Sequence, residues 1–324
     1  MKLRSTQTKA AARRHARVAN VLQVGALARL LRDTYPARLV RGCLRRLRLL
    51  RSPAGATDRL RVADPRDPAP GGELIVISAN LWHDWPFHRR LPDRLEAFAR
   101  LVEEQGAQVV LLQEVMRTPG FRSDTWLANR LGMASVYARA NGHADAIGFE
   151  EGSAVLSRFP VRDVRQKTLG SSASRFVNRI AVGAQLEIQC CKLWAFSTHL
   201  GLFRTQNGRQ LAALQAWVKE VVKEELTLIG GDFNAHEGST QIQKASQRWT
   251  DTYRRLHPAG LAGTHAIRWP WGGRSLTRRL DYIFLEQPDT DWHILETRHL
   301  QSTGQPHSDH DAVFTRLKYK PTAN

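Results

Sequence analysis

Between residues 73 and 317, short apolar runs end abruptly in an amide, a carboxylate or an imidazole, and amphipathic stretches separate them. Such runs suit buried strands and are too short for core helices. Leu74 to Ser78 leads into Asn80, Ala107 to Gln113 into Glu114, and Lys192 to Thr198 into His199. Leu226 to Ile229 passes through two glycines, read as breaking the strand, into Asp232 and Asn234. Ser153 to Ser157, Arg179 to Gln189, Leu280 to Leu285 and Ala312 to Leu317 complete the expected strands. Two helices are expected. Pro92 to Gln105 carries Leu95, Phe98 and Val102 on one stripe, and Thr205 to Lys223 turns Leu211, Leu214, Val218 and Val221 inward. Strands mixed with helices over this length predict one α/β domain with more than one sheet layer.

In open α/β sheets, ligands bind at the carboxyl ends of strands. There, Asp232 can move a proton or hold a hard cation, and the Asn234 amide can donate to an anionic oxygen. Each residue alone has a plainer explanation. Asn80 and the Asp232–Asn234 pair suit turns. Glu114 could pair with Arg117, His199 could be a satisfied core histidine, and Asp281 could pair with Arg278 or Arg279. Ser308-Asp309-His310 could be a polar turn. Taken together, Asn80, Glu114, His199, Asp232, Asn234, Asp281, Asp309 and His310 supply oxygens and imidazoles but no soft ligand. That donor set points to Mg²⁺ or Mn²⁺ rather than zinc.

The net charge of +18 is unevenly placed: residues 1–70 hold 17 Lys and Arg against four acids. Such an arm suggests a polyanionic neighbour, nucleic acid or an anionic membrane face. Val18 to Leu31 and Leu39 to Leu50 have helical character, and residues 52–73, rich in Pro, Gly and Asp, read as a linker. The division expected is a basic arm and linker over 1–72 and a catalytic domain over 73–320. Three cysteines, Cys43, Cys190 and Cys191, make no disulfide framework, so a reducing, cytoplasmic setting is expected. No run approaches a membrane span, and no clean signal peptide is visible.

Six motifs occur in order: Ser78-Ala79-Asn80-Leu81-Trp82, Leu112-Gln113-Glu114-Val115, Ser197-Thr198-His199-Leu200, Gly231-Asp232-Phe233-Asn234, Leu280-Asp281-Tyr282-Ile283-Phe284 and Ser308-Asp309-His310. The stretch they cover resembles the endonuclease/exonuclease/phosphatase superfamily, with its DNase I-like fold. The resemblance implies a four-layer α/β sandwich, two packed mixed sheets with helices outside, and metal-dependent hydrolysis of a phosphate ester. It implies that Glu114 holds the divalent ion, with Asn80 beside it and Asp309 as a further ligand. His310 would activate or position water, Asp281 would orient that imidazole, and Asp232 would transfer a proton. Asn234 and His199 would donate to phosphate oxygens, and Arg179 would contact the phosphate. Leu81-Trp82-His83 and His199 depart from the pattern usual in abasic-site endonucleases, so abasic-site repair is not expected.

Thr264 to Arg279 is expected to form a rim loop with Trp269 and Trp271 at its tip among arginines. Those side chains suit stacked bases and phosphates, a membrane interface, or packing on a sheet edge. Trp82 to Phe87 and Phe121 to Leu127 read as further aromatic loops. The reading reached is a Mg²⁺-dependent phosphodiesterase, first a nuclease on DNA or RNA, and alternatively a sphingomyelinase-like or phosphoinositide-type enzyme at anionic phospholipid.

Overall fold

The structure, a computed structural model, describes residues 57–60, 72–85, 87–171, 177–188, 191–223, 225–260, 262–267, 276–286 and 292–319. The basic arm, most of the expected linker, and Trp269 and Trp271 lie outside these residues.

In chain order the strands are β1 (Thr57–Leu60), β2 (Glu73–Asn80), β3 (Val109–Thr118), β4 (Phe121–Arg122), β5 (Ala134–His143), β6 (Phe149–Ser157), β7 (Val161–Ser171), β8 (Asn178–Ile188), β9 (Cys191–His199), β10 (Leu226–Asp232), β11 (Thr250–Asp251), β12 (His265–Ile267), β13 (Leu276–Arg278), β14 (Asp281–Glu286), β15 (Trp292–Leu300) and β16 (Ala312–Tyr319). The helices are α1 (Leu91–Glu104), α2 (Ser123–Leu131), α3 (Ala144–Ile147), α4 (Arg204–Val221), α5 (Thr240–Arg248) and α6 (Thr252–Leu256).

One sheet has the order β1-β5-β6-β3-β2-β16-β15, with β4 beside β3, and the other β11-β14-β10-β9-β8-β7. Both are mixed. β2 and β3 run parallel in the first, and β9 and β10 run parallel in the second. Strand alternation assigns the layers. Leu74, Val76, Val109 and Leu111 of the first sheet pack against Val182, Ala195, Leu228 and Ile283 of the second. The opposite face of the first sheet, with Ile77, Val110 and Leu112, is covered by Leu95, Phe98 and Val102 of α1 and Leu127 of α2. The outer face of the second, with Phe196, Ile229 and Phe284, is covered by Leu211, Leu214 and Val218 of α4 and Ile242 of α5. The result is the four-layer α/β sandwich expected.

Several local expectations are corrected. The glycines of the Gly-Gly-Asp stretch do not break their strand; β10 runs through Gly230 and Gly231 to Asp232. A Cβ on Gly230 would lie 2.5 Å from Leu111 Cδ1 of the other sheet, and one on Gly231 would lie 2.0 Å from the Thr198 carbonyl oxygen. Both glycines are there for close approach, and Gly230 lets the sheets converge just where Asp232 emerges. Gly230→Ala is therefore expected to cost about 1–3 kcal/mol through overpacking, and to lower activity by moving Asp232 away from the first sheet. A urea melt with a turnover assay checks both; unchanged stability and rate would show that the sheets tolerate separation.

β3 does not stop at Glu114 but continues to Thr118 past a bulge between Leu112 and Val115. Phe121 to Leu127 is not a loop: it forms β4 and the first half of α2. The described parts of the expected rim loop form a hairpin, β12 against β13. Thr57–Leu60, assigned to the linker, is a strand on the free edge of β5. Its Asp58 pairs with buried Arg117, which also pairs with Asp124 at 2.6 Å, and Arg59 donates to the Val161 carbonyl. Truncation after Leu60 is therefore expected to be less stable than truncation after Ala56, by about 1 kcal/mol or more. Paired thermal melts of the two truncations check this; identical melts would show that β1 contributes nothing.

Candidate active site

The sandwich brings the expected residues to one end. Asn80, His199 and Asp232 are the last residues of β2, β9 and β10, and Asp281 is the first of the antiparallel β14. Asp232 stands in register with His199 on one side and Asp281 on the other. His310 lies just before β16 in the other sheet. Gln113 joins the sheets beneath them, donating to Ser197 Oγ at 3.0 Å and to the Leu111 carbonyl at 3.1 Å.

Asn80 links the two halves of the centre. Its Nδ2 donates to Glu114 Oε1 at 3.3 Å and to Asp232 Oδ2 at 3.1 Å, while its Oδ1 accepts the Trp82 N–H at 2.9 Å. Two acceptors on one side and a donor on the other fix the amide orientation. Glu114 reaches this position because the bulge puts its backbone in the left-handed region, at φ 52°. Such a conformation in a non-glycine residue is uncommon and recurs at functional sites.

Asn234 is also left-handed, at φ 49°, and its N–H closes onto Asp232 Oδ1 at 2.8 Å. Its Nδ2 donates to the Leu200 carbonyl at 2.9 Å and to His199 Nε2 at 3.0 Å. The same His199 Nε2 lies 3.4 Å from Asp232 Oδ2. Burial, followed by the charge of Arg179, pushes its pKa well below 6.5. One amide hydrogen of Asn234 is engaged by the Leu200 carbonyl, and the other faces His199 Nε2, which a phosphate oxygen would have to displace to accept it.

Asp281 Oδ2 accepts from His310 Nδ1 at 2.8 Å and from Thr264 Oγ1 at 2.6 Å. The alternative pairing fails for Arg279, whose guanidinium turns to Asp251 at 2.6 Å. Burial alone would depress His310, but Asp281, by charge and hydrogen bond, and then Asp232 raise it to about 10. The imidazolium is thus the resting form, better suited to hold charge than to accept a proton. Asp232 moves the other way from a normal carboxyl: burial and then Asp281 push it up to about 7. Asp232, Asp281 and His310 each bring a ligating atom within 4.8 Å of the other two.

Several neighbours went unnoticed in the sequence. Glu151 hydrogen-bonds His83 Nε2 at 2.7 Å and accepts from Asn141 at 2.9 Å. Burial would raise its carboxyl, but His83 and then Arg179 and His199 hold it at about 2. Glu151, Glu114, Arg179 and His199 line one small recess, so the arginine expected at the phosphate does stand in the centre. His265 stacks on His310 with centroids 4.3 Å apart. Buried Arg94 of α1 donates to the Leu81 and His307 carbonyls at 2.9 and 3.2 Å, tying the loop after Asn80 to the loop before His310. The Glu150-Glu151 pair opening a buried strand was the one visible signal; the others reach the centre through loops or from another layer.

The donors suit a hard divalent cation. Glu114 has long contacts, 3.3 Å from Asn80, 3.3 Å from the His83 N–H and 3.5 Å from His83 Nε2, and among the described residues no Lys or Arg is paired with it. Asp309 is exposed in the loop before His310 and feels the Glu114 charge, and His265, Asp309 and His310 form a second group of donors within 4.8 Å, a group that does not include Glu114. Asn80 could contribute only its oxygen, which already accepts from Trp82.

Two packed mixed sheets, with carboxylates and an aspartate-held histidine at their shared strand ends, define the DNase I-like class. The chain belongs to the endonuclease/exonuclease/phosphatase family, whose model matches residues 77–299. Enzymes of this family are in general metal-dependent hydrolases of phosphate esters. A relative, the uncharacterized protein YbhP of Escherichia coli K12, is 29% identical over 221 residues, spanning 62% of this chain and 79% of that protein. A family protein from Leptotrichia buccalis shares the fold with a TM-score of 0.61 at 18% identity, covering 76% of this chain and 100% of that one. D. rerio TDP2, solved with a single-strand DNA product, gives a TM-score of 0.61 at 17% identity, covering 76% and 99%. Among the described residues, no helix is long and apolar enough to cross a membrane.

Proposed function

We propose that this protein is a divalent-metal-dependent phosphodiesterase acting on nucleic acid. The observation that carries the reading is the Asn80 amide, within 3.3 Å of Glu114 and 3.1 Å of Asp232. It sets a cation-binding carboxylate beside a proton-transferring one, each from a different sheet. Glu114 and Asp309 would hold Mg²⁺ or Mn²⁺, with the Asn80 oxygen beside them. The ion would neutralise a phosphate oxygen and the leaving oxygen.

The chain's own groups do the rest. Asp232 moves the proton, since its carboxyl titrates near neutrality. His310, fixed by Asp281, donates from Nε2 and puts positive charge against the phosphate as its charge builds. Arg179 adds a second positive charge from the recess shared with Glu114. His199, neutral, and Asn234 hold each other and brace Asp232. Nucleic acid is favoured over lipid because a structural neighbour, D. rerio TDP2, was solved with single-strand DNA.

The test is a parallel assay of wild type and Asp232→Asn with Mg²⁺ on single-stranded DNA, RNA, sphingomyelin, a phosphoinositide and bis(p-nitrophenyl) phosphate. Cleavage of a nucleic acid and of the small diester, both lost in the variant, is expected. Turnover confined to a lipid would reject the substrate assignment.

A further inference from the structure

Two adjoining cavities of about 330 and 580 Å³ open beside the centre. The first is lined by Asn234, Arg278 and Arg204; the second continues between α4 and α5 past Arg204, Gly208, Arg209 and Lys244. They share Arg204, Thr240 and Gln241, so they form one trough leading away from Asn234. Among the described residues no carboxylate lines either cavity. Arg204, Arg209, Lys244 and Arg278 are all exposed, and the Arg204 guanidinium donates to the Thr240 hydroxyl at 3.1 Å, with no carboxylate paired to it among the described residues. Several arginines elsewhere are matched to acids, as Arg89 is to Asp84, Arg130 to Glu96, Arg248 to Glu286 and Arg254 to Glu237. The trough also follows from sequence: α4 carries no acid before Glu220, and α5 carries none. Among the described residues no Phe, Tyr or Trp lines it, and His236 is its one aromatic ring.

We propose that this trough is the path of the phosphate backbone of a nucleic-acid strand leaving the scissile bond. The proposal rests on the nucleic-acid phosphodiesterase reading and extends it: the enzyme senses the length and charge of its substrate along α4 and α5, not base identity. Phosphates bound there release counterions, at about 0.7 of log-log salt slope per phosphate on a single strand.

Gly208 offers a clean test. A Cβ there would meet only Gln241 Cγ, at an ordinary 3.9 Å, and glutamate is a better helix former than glycine. Gly208→Glu should therefore fold while placing an acid among the cations. Kinetics of full-length wild type, Gly208→Glu and Arg209→Glu/Lys244→Glu would be compared on bis(p-nitrophenyl) phosphate, a dinucleotide and a long single-stranded oligonucleotide, across a salt series. For wild type, KM should fall from dinucleotide to long strand. Both variants should raise KM on the long strand by about tenfold or more, with a shallower salt slope. Their kcat and their small-diester kinetics should be unchanged. Unchanged KM on the long strand, or equal losses on the small diester, would overturn the trough. A wild type that cleaves the small diester but no oligonucleotide would reject the nucleic-acid reading itself, whereas wild-type strand cleavage with unaffected variants would reject only the trough.

Discussion

Asp232→Asn is expected to lower kcat by roughly 10²–10⁴, the usual cost of losing a positioned acid or base, with KM little changed. The substitution keeps the shape of the side chain and an oxygen for the Asn234 N–H, now 2.8 Å from Oδ1. It removes the group that can gain and lose a proton, and it turns the acceptor of the Asn80 Nδ2 hydrogen bond, at 3.1 Å, into a donor. The pH profile is a second readout. Burial, reinforced by Asp281, holds this carboxyl at about 7. If ionised Asp232 takes the proton, kcat/KM of wild type should climb through about pH 7 and level off above it. Stability should run the opposite way. A carboxyl raised on folding contributes fully below its ordinary value of 3.8 and loses that contribution as pH rises through about 7. The stability of wild type relative to the variant should therefore fall across that window. A variant within threefold of wild type, or a pH profile flat through neutrality, would remove Asp232 from proton transfer.

Glu114→Gln should abolish measurable turnover at ordinary Mg²⁺ concentrations, with at least ~10²-fold weaker metal binding. Loss of a group that merely supports a metal ligand costs 10–100-fold, and a direct ligand should cost no less. Glutamine preserves the volume at the bulge, so the left-handed backbone at φ 52° has no new reason to rearrange. Calorimetric titration of the full chain with Mn²⁺ reads the metal independently of activity. Wild-type affinity in the variant would place the ion elsewhere, for example at His265, Asp309 and His310, whose donor atoms also cluster.

Much of this centre is written in the chain because its residues stand where strands end. Asn80, His199 and Asp232 close apolar runs, and the sandwich turns those ends to one edge. Glu114 was found for an incomplete reason. Nothing in Leu111-Leu112-Gln113-Glu114-Val115-Met116 marks a bulge, which exists only because the partner strand β6 skips a residue there. His83, Glu151 and His265 were missed because their roles depend on contacts across elements distant in sequence. The strand β1 was hidden in a segment with polar character, and its place depends on the free edge of β5 and on Arg117. The edge strand β7, Val161–Ser171, is so rich in charge that alternation is faint. Gly230 and Gly231 looked like a break because the need for them comes from the opposite sheet and from Thr198.

The most direct test is single-turnover cleavage of an end-labelled single-stranded oligonucleotide by the full chain with Mg²⁺, again after excess EDTA, and by Asp232→Asn with Mg²⁺. Cleavage is expected only in the first reaction, with activity restored when Mg²⁺ is returned to the chelated enzyme. Undiminished cleavage in EDTA, or by Asp232→Asn, would contradict a metal-dependent centre built on Glu114 and Asp232.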